Sequence, residues 1–476
     1  MSREANTLLV VHDAQRIVAR VGIQEPFQRP EVDISTRVGR RSAADNAERG
    51  AYIFGDALDK AVAADEAIDV IYPFLDGDVQ DWDALAALWR HILVDLLHIE
   101  LENNTLFTMV ALPTPISRDA FENTAQIFFE HFNTPALCIS EVPLLVAYAV
   151  GVLNAIVIDI GLEESSAVPV LDCAVVPTAA VLSRIGIVHC TWWLAYLLSQ
   201  DEAVVNALRP LATNAHLDAV VYAFAQTLVK EGYVYVDADM VQDGEEYDEG
   251  TFDVAAALVQ GRERDVIEAH KNNKQSSAPP SKTKDFVHVP FRGIQVPVGN
   301  VRTRFYEPLL RPQLLARVTL DIPSPPCVKS ALHAQEIGGE PPCVSIPEAV
   351  YQATRLVQPM GRRALLWDNL IFTGIATRAQ GLIPELCRAF SVFVANDPTE
   401  VAQLVGEPNP VQARTIRAHK VPDYFVEFKD RLDLAPLLGA TIYAKLVFSD
   451  YSGRNFISKM QYNEGGPSVA FAIGSA

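Results

Sequence analysis

Thr7-Leu8-Leu9-Val10-Val11-His12-Asp13-Ala14-Gln15-Arg16-Ile17-Val18-Ala19-Arg20-Val21-Gly22 reads as two apolar arms joined by a polar tip at His12 to Arg16. Branched residues that favour a pleated surface crowd both arms, and a glycine closes the second. The outline is a strand, a phosphate-sized loop and a strand. It recurs at Ala155-Ile156-Val157-Ile158-Asp159-Ile160-Gly161 followed by Ser166-Ala167-Val168-Pro169-Val170. Two such hairpins, one in each half, predict a duplicated α/β clamp of two lobes.

Between the hairpins, Asp81 to His98 carries Leu85, Leu88, Trp89, Ile92, Leu96 and Leu97 at helical spacing, with Asp81 placed to cap the first turn. Trp82 and Trp89 are read as core. A second helix, Asp119 to Phe132, should stop at Asn133-Thr134-Pro135, because a residue before proline avoids the helical region. The uncharged run Val142 to Ile158 approaches the minimum of about 17 apolar residues for a membrane span. Pro143, Gly151 and Asn154 instead divide it into a short buried helix, Leu144 to Val150, and a buried strand, Ala155 to Ile158.

The bulk numbers bound the function. The chain has 476 residues, 49% of them hydrophobic, enough for one large two-lobed core or two to three smaller ones. Its 59 acidic and 39 basic residues give a net charge of -20, which opposes direct binding to a phosphate backbone. Six scattered cysteines form no Cys-x-x-Cys pair, so neither a disulfide framework nor a metal site is expected, and a reducing compartment fits best. The first residues read as too short and too soon charged for a secretory signal, which places the chain in the cytoplasm or nucleus. Eight acidic residues crowd into the 17 positions from Asp237 to Asp253, and Lys271 to Lys284 reads as a polar linker.

Tyr72-Pro73 with Gly77, Val79 and Trp82-Asp83, then Phe129-Glu130 and Phe132-Asn133-Thr134-Pro135-Ala136, form a spaced set. Ile457-Ser458-Lys459, Tyr462, Glu464 and Gly466-Pro467-Ser468 complete it near the C-terminus. Together these segments resemble the actins and actin-related proteins over nearly the whole chain. Asp248-Glu249-Gly250-Thr251-Phe252-Asp253-Val254-Ala255, Gly261-Arg262 and Pro422-Asp423-Tyr424-Phe425 are similar to the fungal branch that serves the SWI/SNF and RSC chromatin remodellers. The resemblance implies the actin-like fold with four subdomains. Residues 1–40, 72–149 and 436–476 would form the first and 41–71 a shortened second. Residues 150–190 and 348–435 would form the third, and 191–347 the fourth, with the acidic insertion and linker at 237–284.

The same resemblance exposes missing chemistry. Actins hold a nucleotide between two glycine-rich hairpins whose backbone N–H groups cradle the phosphates. Here the aspartate position of the first hairpin is His12, followed by Asp13; its tip is Ala14-Gln15-Arg16, and the lysine position is Ala19. The second hairpin keeps Asp159 and Gly161 but continues Leu162-Glu163-Glu164, so carboxylates are expected to face phosphates. One such contact at 4 Å costs about 4 kcal/mol at an effective dielectric near 20, roughly a thousandfold in affinity. The water-positioning glutamine and histidine fall on Val142 and Ser166, and the adenine-side loop, Thr373-Gly374-Ile375-Ala376-Thr377, keeps only its first glycine. A degenerate cleft of His12, Asp13, Asp159, Gly161 and Gly374 is expected, with ATP binding weak or absent, no metal and no catalytic residue. His12 is read as a hydrogen-bonded core histidine, Asp159 as a structural turn residue, and Arg16 as solvent-facing.

With that chemistry removed, surfaces carry the function. The resemblance places a partner-helix cleft at Tyr148, Gly151, Leu153, Leu446, Val447 and Ser449. The occupant would be the helicase-SANT-associated helix of a remodeller ATPase, shared with a second actin-related protein. Such a helix is basic, which suits a charge of -20. The short loop Arg41 to Ala51 argues against a homopolymer. The resemblance implies a nuclear location. A dynactin-type scaffold subunit and a nucleotide-dependent ATPase of the same fold are the alternatives.

Overall fold

The computed structural model describes residues 3–474 except 14, 26–27, 42–51, 65, 76–77, 213–215, 237–285, 326, 330–342, 395–412, 414 and 450–452. The acidic insertion, the linker, the Asp248–Arg262 likeness and the Arg41–Ala51 loop therefore lie wholly or largely outside the described residues.

Three strands open the chain: β1 (Thr7–Asp13), β2 (Arg16–Val21) and β3 (Val32–Ser35). Alternation along β1 sends Leu8 and Val10 into one apolar layer and Leu9 and Val11 into another, so both faces of the strand are covered. That is why it reads as an unbroken apolar run. A small three-stranded sheet follows, β4 (Val38–Arg41), β5 (Tyr52–Phe54) and β6 (Ile68–Ile71), with helix α1 (Gly55–Ala63). Hairpin β7 (Phe74–Leu75) and β8 (Asp78–Val79) leads into α2 (Trp82–Arg90). Asp81 caps α2 by accepting from the Ala84 N–H at 2.9 Å.

α2 continues as a wider π-helical turn over His91–Leu96, and α3 (Arg118–Gln126) does the same over Ile127–His131. Both helices thus keep the extents the periodicity predicts while changing winding near their C-terminal ends. Strands β9 (Phe107–Leu112) and β10 (Ala136–Glu141) complete the first large sheet. Its order is completed by a C-terminal edge strand, β19 (Ile457–Ser458), to give β19-β10-β9-β1-β2-β3, with β9 parallel to both β1 and β10. The two ends of the recognised motif set meet there. The Tyr462 ring stacks on Phe129 at 4.5 Å, and its hydroxyl donates to Glu130 Oε1 at 2.7 Å.

The uncharged run resolves into α4 (Val142–Val150) and β11 (Ala155–Ile160), separated by Gly151 at φ +81°. β11 pairs with β12 (Ser165–Leu171), followed by β13 (Ala174–Val175) and β14 (Val181–Ser183). Helices α5 (Ile187–Ser199), α6 (Glu202–Leu208) and α7 (Leu217–Lys230), hairpin β15 (Val287–Phe291) and β16 (Ile294–Val298), and the short α8 (Glu307–Leu310) build the outer part of this lobe. Then come α9 (Ile346–Leu356), α10 (Arg363–Trp367), β17 (Leu370–Thr373), α11 (Leu382–Ala389) and β18 (Ala418–His419). The second large sheet runs β13-β12-β11-β17-β18, with β14 against β12.

The chain crosses back into the first lobe through α12 (Ala435–Ser449), and α13 (Lys459–Gly465) and α14 (Val469–Gly474) finish it. α4 and α12 lie between the two sheets. One apolar layer joins Leu9 and Val11 of the first sheet, Leu145 and Val146 of α4, Leu437 and Leu438 of α12, and Val157 and Ile371 of the second. The crossing depends on Gly439, because a β-carbon there would come within 1.7 Å of the Leu145 carbonyl oxygen. Burial between sheets also explains why Leu432–Ser449 is apolar on all sides. Among the described residues it alone is long and apolar enough to cross a membrane, yet 67% of it is buried inside the protein.

Candidate functional site: a substituted cleft between the lobes

Both hairpins point their tips into the space between the sheets. In the first, the ladder reaches into the polar stretch His12 to Arg16, with His12 opposite Ile17 and Asp13 opposite Arg16. His12 is fully buried in β1. Its Nε2 accepts a 2.7 Å hydrogen bond from the Trp89 indole, and its ring meets Trp89 edge-on and lies 5.3 Å from Phe74. Burial drives its pKa down to about 3, so the imidazole is neutral at physiological pH.

The second hairpin turns over four residues, since Ile160 faces Ser165. Gly161 donates its N–H to the Glu164 carbonyl at 3.0 Å, and a β-carbon at 161 would sit 2.9 Å from that oxygen. Asp159 is not a turn residue: it lies within β11 opposite Ser166 and beside Thr373 of β17. Its Oδ1 has no hydrogen-bond partner. Burial first, then the nearby carboxylates of Asp13 and Glu164, push its pKa well above the usual value, so the group carries a proton where a free carboxylate would not. Gly374 closes over it at φ +89°, where a β-carbon would come within 2.2 Å of Asp159 Oδ1 and 2.5 Å of the Ile160 carbonyl oxygen. Glycine is the residue that satisfies both constraints.

The tips and the loop after β17 therefore bring His12, Asp13, Asp159, Gly161 and Gly374 to one place. Two small cavities remain there, about 30 Å³ and about 20 Å³. The larger is walled by Asp13, Asp159, Glu164, Ser166 and the Phe74 ring; the smaller by His12, Asp13, Val142, Gly374 and Asp433. Each holds room for about one or two water molecules. Glu163, expected to face the same space, lines neither of these two cavities. Its electrostatic neighbours are Arg37, Tyr72, Tyr222 and Cys327, on the flanks of the cleft. Glu164 lines the larger cavity.

Arg16 does not face solvent. Its side chain is 12% exposed and is held by Asp33 at 2.5 Å and by Asp433 at 2.9 Å. Asp433, only 1% exposed at its side chain, also accepts from Arg378 at 2.7 Å and from Arg431 at 2.8 Å. Burial alone would raise the Asp433 pKa, but the hydrogen bonds and charges of Arg431 and Arg378 overcome it and hold the carboxylate ionised. Sequence reading missed Asp433, Arg378 and Arg431. The short Arg431-Leu432-Asp433 spacing was the only local signal, and it says nothing of Arg16, 417 positions away.

This donor set is mismatched to a polyphosphate. Among the described residues lining the two cavities, Arg16 is the one cationic side chain, and two carboxylates already engage it. Asp13 and Glu164 stand where negative groups would approach.

The outer face of the α4–α12 pair is open in part. Leu153 and Leu446 are 63% and 57% exposed, and Gly151 and Ser449 are also exposed. Tyr148 is half-buried, with its ring 5.0 Å from Tyr443. Val447, expected among the surface residues, is 2% exposed and belongs to the core layer beneath. It supports the surface without lining it.

Two lobes of mixed α/β sheet, each with a hairpin turned toward a shared cleft and joined through a helix pair, define the class of actin-like clamps. The sequence pattern described as Actin matches residues 9–470, and the chain belongs to the actin family. It is 25% identical over 440 residues, 84% of this chain and 78% of the relative, to the SWI/SNF and RSC complexes subunit arp9 of Schizosaccharomyces pombe. It is 27% identical over 188 residues to Centractin of Saccharomyces cerevisiae, covering 39% of this chain and 46% of that one. It is 30% identical over 119 residues to Actin-related protein 4 of Arabidopsis thaliana, 25% and 26% of the two chains.

Proposed function

We propose that this chain is a non-catalytic actin-related scaffold subunit of a SWI/SNF- or RSC-type chromatin-remodelling complex, acting in the nucleus. The observation that carries the reading is the cleft. Hairpins that would cradle phosphates through glycine N–H groups instead present a buried neutral histidine, Asp13, Asp159 with its pKa pushed upward by burial, and Glu164 around two water-sized cavities. Hydrolysis needs a group that orients water, and the positions the family resemblance assigns to that task are Val142, which is buried and apolar, and Ser166. ATP binding is weak or absent, and no metal or cofactor takes part. The 84% coverage by the remodeller subunit, against 39% by Centractin, favours the remodeller over a dynactin-type reading.

In this reading the lobes and their four subdomains form a rigid frame. The frame seats a basic amphipathic helix of the remodeller ATPase against Leu153, Leu446, Gly151 and the half-buried Tyr148, beside a second actin-related protein. Burial of the two exposed leucines supplies the apolar contact, and the chain's net charge of -20 favours a basic partner. The purified chain mixed with an actin-related partner and the remodeller helix is expected to co-purify as one complex, and Leu153→Asp with Leu446→Asp to lose it. Failure of the wild type to co-purify defeats the scaffold reading. A calorimetric titration showing submicromolar Mg-ATP affinity, together with turnover, defeats the non-catalytic one.

A further inference from the structure

We infer that Arg16 and Asp433 form a built-in staple across the cleft, so that the chain's own carboxylate, and not a bound polyphosphate, draws the two hairpin-bearing lobes together. The inference rests on the reading that the cleft works without nucleotide.

The connectivity makes the pair a bridge. Arg16 begins β2 in the first large sheet, and its guanidinium is anchored on that side by both oxygens of Asp33 in β3. Asp433 lies on the segment that leaves the second lobe after β18 and enters α12. From the second lobe, Arg378, just beyond β17 and Gly374, donates twice to Asp433 Oδ2. Arg431 supplies a bidentate contact from the crossover itself. One buried carboxylate therefore takes guanidinium donors from the first sheet, the second lobe and the strand of chain between them. Thr373 adds a neutral tie, donating to the Leu432 carbonyl at 2.9 Å.

Geometry and charge both favour a persistent contact. A planar guanidinium matches carboxylates in a fixed fork, which lets Arg16 hold Asp33 and Asp433 together. Three arginines around two aspartates leave the cluster positive, so Asp433 gains nothing by protonation. Its place at the wall of the smaller cavity, with Asp13 and Gly374, puts the staple at the floor of the cleft. A polyphosphate entering there would have to displace Asp433 from three donors.

Hydrogen exchange on the full-length chain tests this. Arg16→Gln removes the first-sheet arm while Asp433 keeps Arg378 and Arg431. It is expected to speed exchange by about tenfold or more at residues 373–378, across the cleft from the substitution, and to leave β15–β16 unchanged. Asp33→Asn removes the other anchor but leaves Arg16 on Asp433, and is expected to leave 373–378 unchanged. If Arg16→Gln does not fold, Arg16→Lys, which keeps the charge without the fork, is expected to give a smaller opening at the same residues. Unchanged exchange at 373–378 in the folded Arg16 variant overturns the staple while leaving helix capture intact. Protection of those residues in the wild type by Mg-ATP or tripolyphosphate overturns the nucleotide-free cleft on which it rests, and loss of helix capture with the exchange result intact defeats only the scaffold reading.

Discussion

The two hairpins share one outline but hold their common cleft by opposite means. The first carries His12, a neutral imidazole buried against Trp89, and uses Arg16 as an ionic arm. The second packs Asp159 and the Ile160 carbonyl under Gly374 so closely that no side chain fits between. One hairpin is therefore fixed by directional polar contacts and the other by steric closeness. A scaffold can tolerate either, whereas a phosphate cradle needs both tips open and rich in free N–H donors.

The second hairpin is the more sensitive of the two to substitution. Gly374→Ala would drive a methyl into Asp159 Oδ1 and the Ile160 carbonyl at a positive φ, and is expected to cost about 3 kcal/mol or more, or to prevent folding, as read by urea unfolding.

The next effect is the acid response of the first hairpin. His12 has a folded pKa of about 3 against a usual 6.5, so below the usual value the unfolded chain takes up a proton that the folded chain refuses. Stability should therefore fall as pH drops from 6.5 toward about 3, by a few kcal/mol from this group. His189, lowered by burial to about 4, adds to the same trend. His12→Gln, whose amide can still accept from Trp89, should flatten the slope; an unchanged slope would show that His12 does not titrate as its burial requires.

Asp159 should act with the opposite sign. Its folded pKa is raised above the usual 3.8, so its contribution is present at low pH and is lost as pH rises through the folded value. Asp159→Asn mimics the protonated acid. It should lie within about 1 kcal/mol of the wild type in acid and become relatively more stable in alkali, measured as a difference between unfolding midpoints. The smallest expected effect is at the first tip. Gln15→Gly adds a glycine N–H to the tip but leaves Ala19, Glu164 and the Arg16–Asp433 pair in place, so stability should change by less than about 1 kcal/mol. No Mg-ATP binding should appear by calorimetry.

Much of the frame was legible along the chain. The arms of both hairpins, the cap at Asp81, the split of Val142–Ile158 at Gly151 and the glycine after β17 were each visible as strand preference, capping chemistry or helix-breaking residues. Glu163 and Glu164 show where that legibility stops. They are adjacent and chemically alike, yet the four-residue turn sends one toward Arg37 and the other into the cavity wall. Val447 fails for a related reason: its neighbour Leu446 is exposed, but helical geometry turns 447 into the layer between the sheets.

The local order of residues determined the duplicated hairpins, the helices between them and family membership, because each is a matter of residue type at short spacing. The tertiary structure alone decided that Arg16 is buried on Asp433, that Asp159 is a buried acid within a strand with its pKa pushed upward, and that Gly374 and Gly439 are required by close approach. Those facts depend on groups brought together from distant parts of the chain, where burial and charge are set by neighbours that no local pattern names.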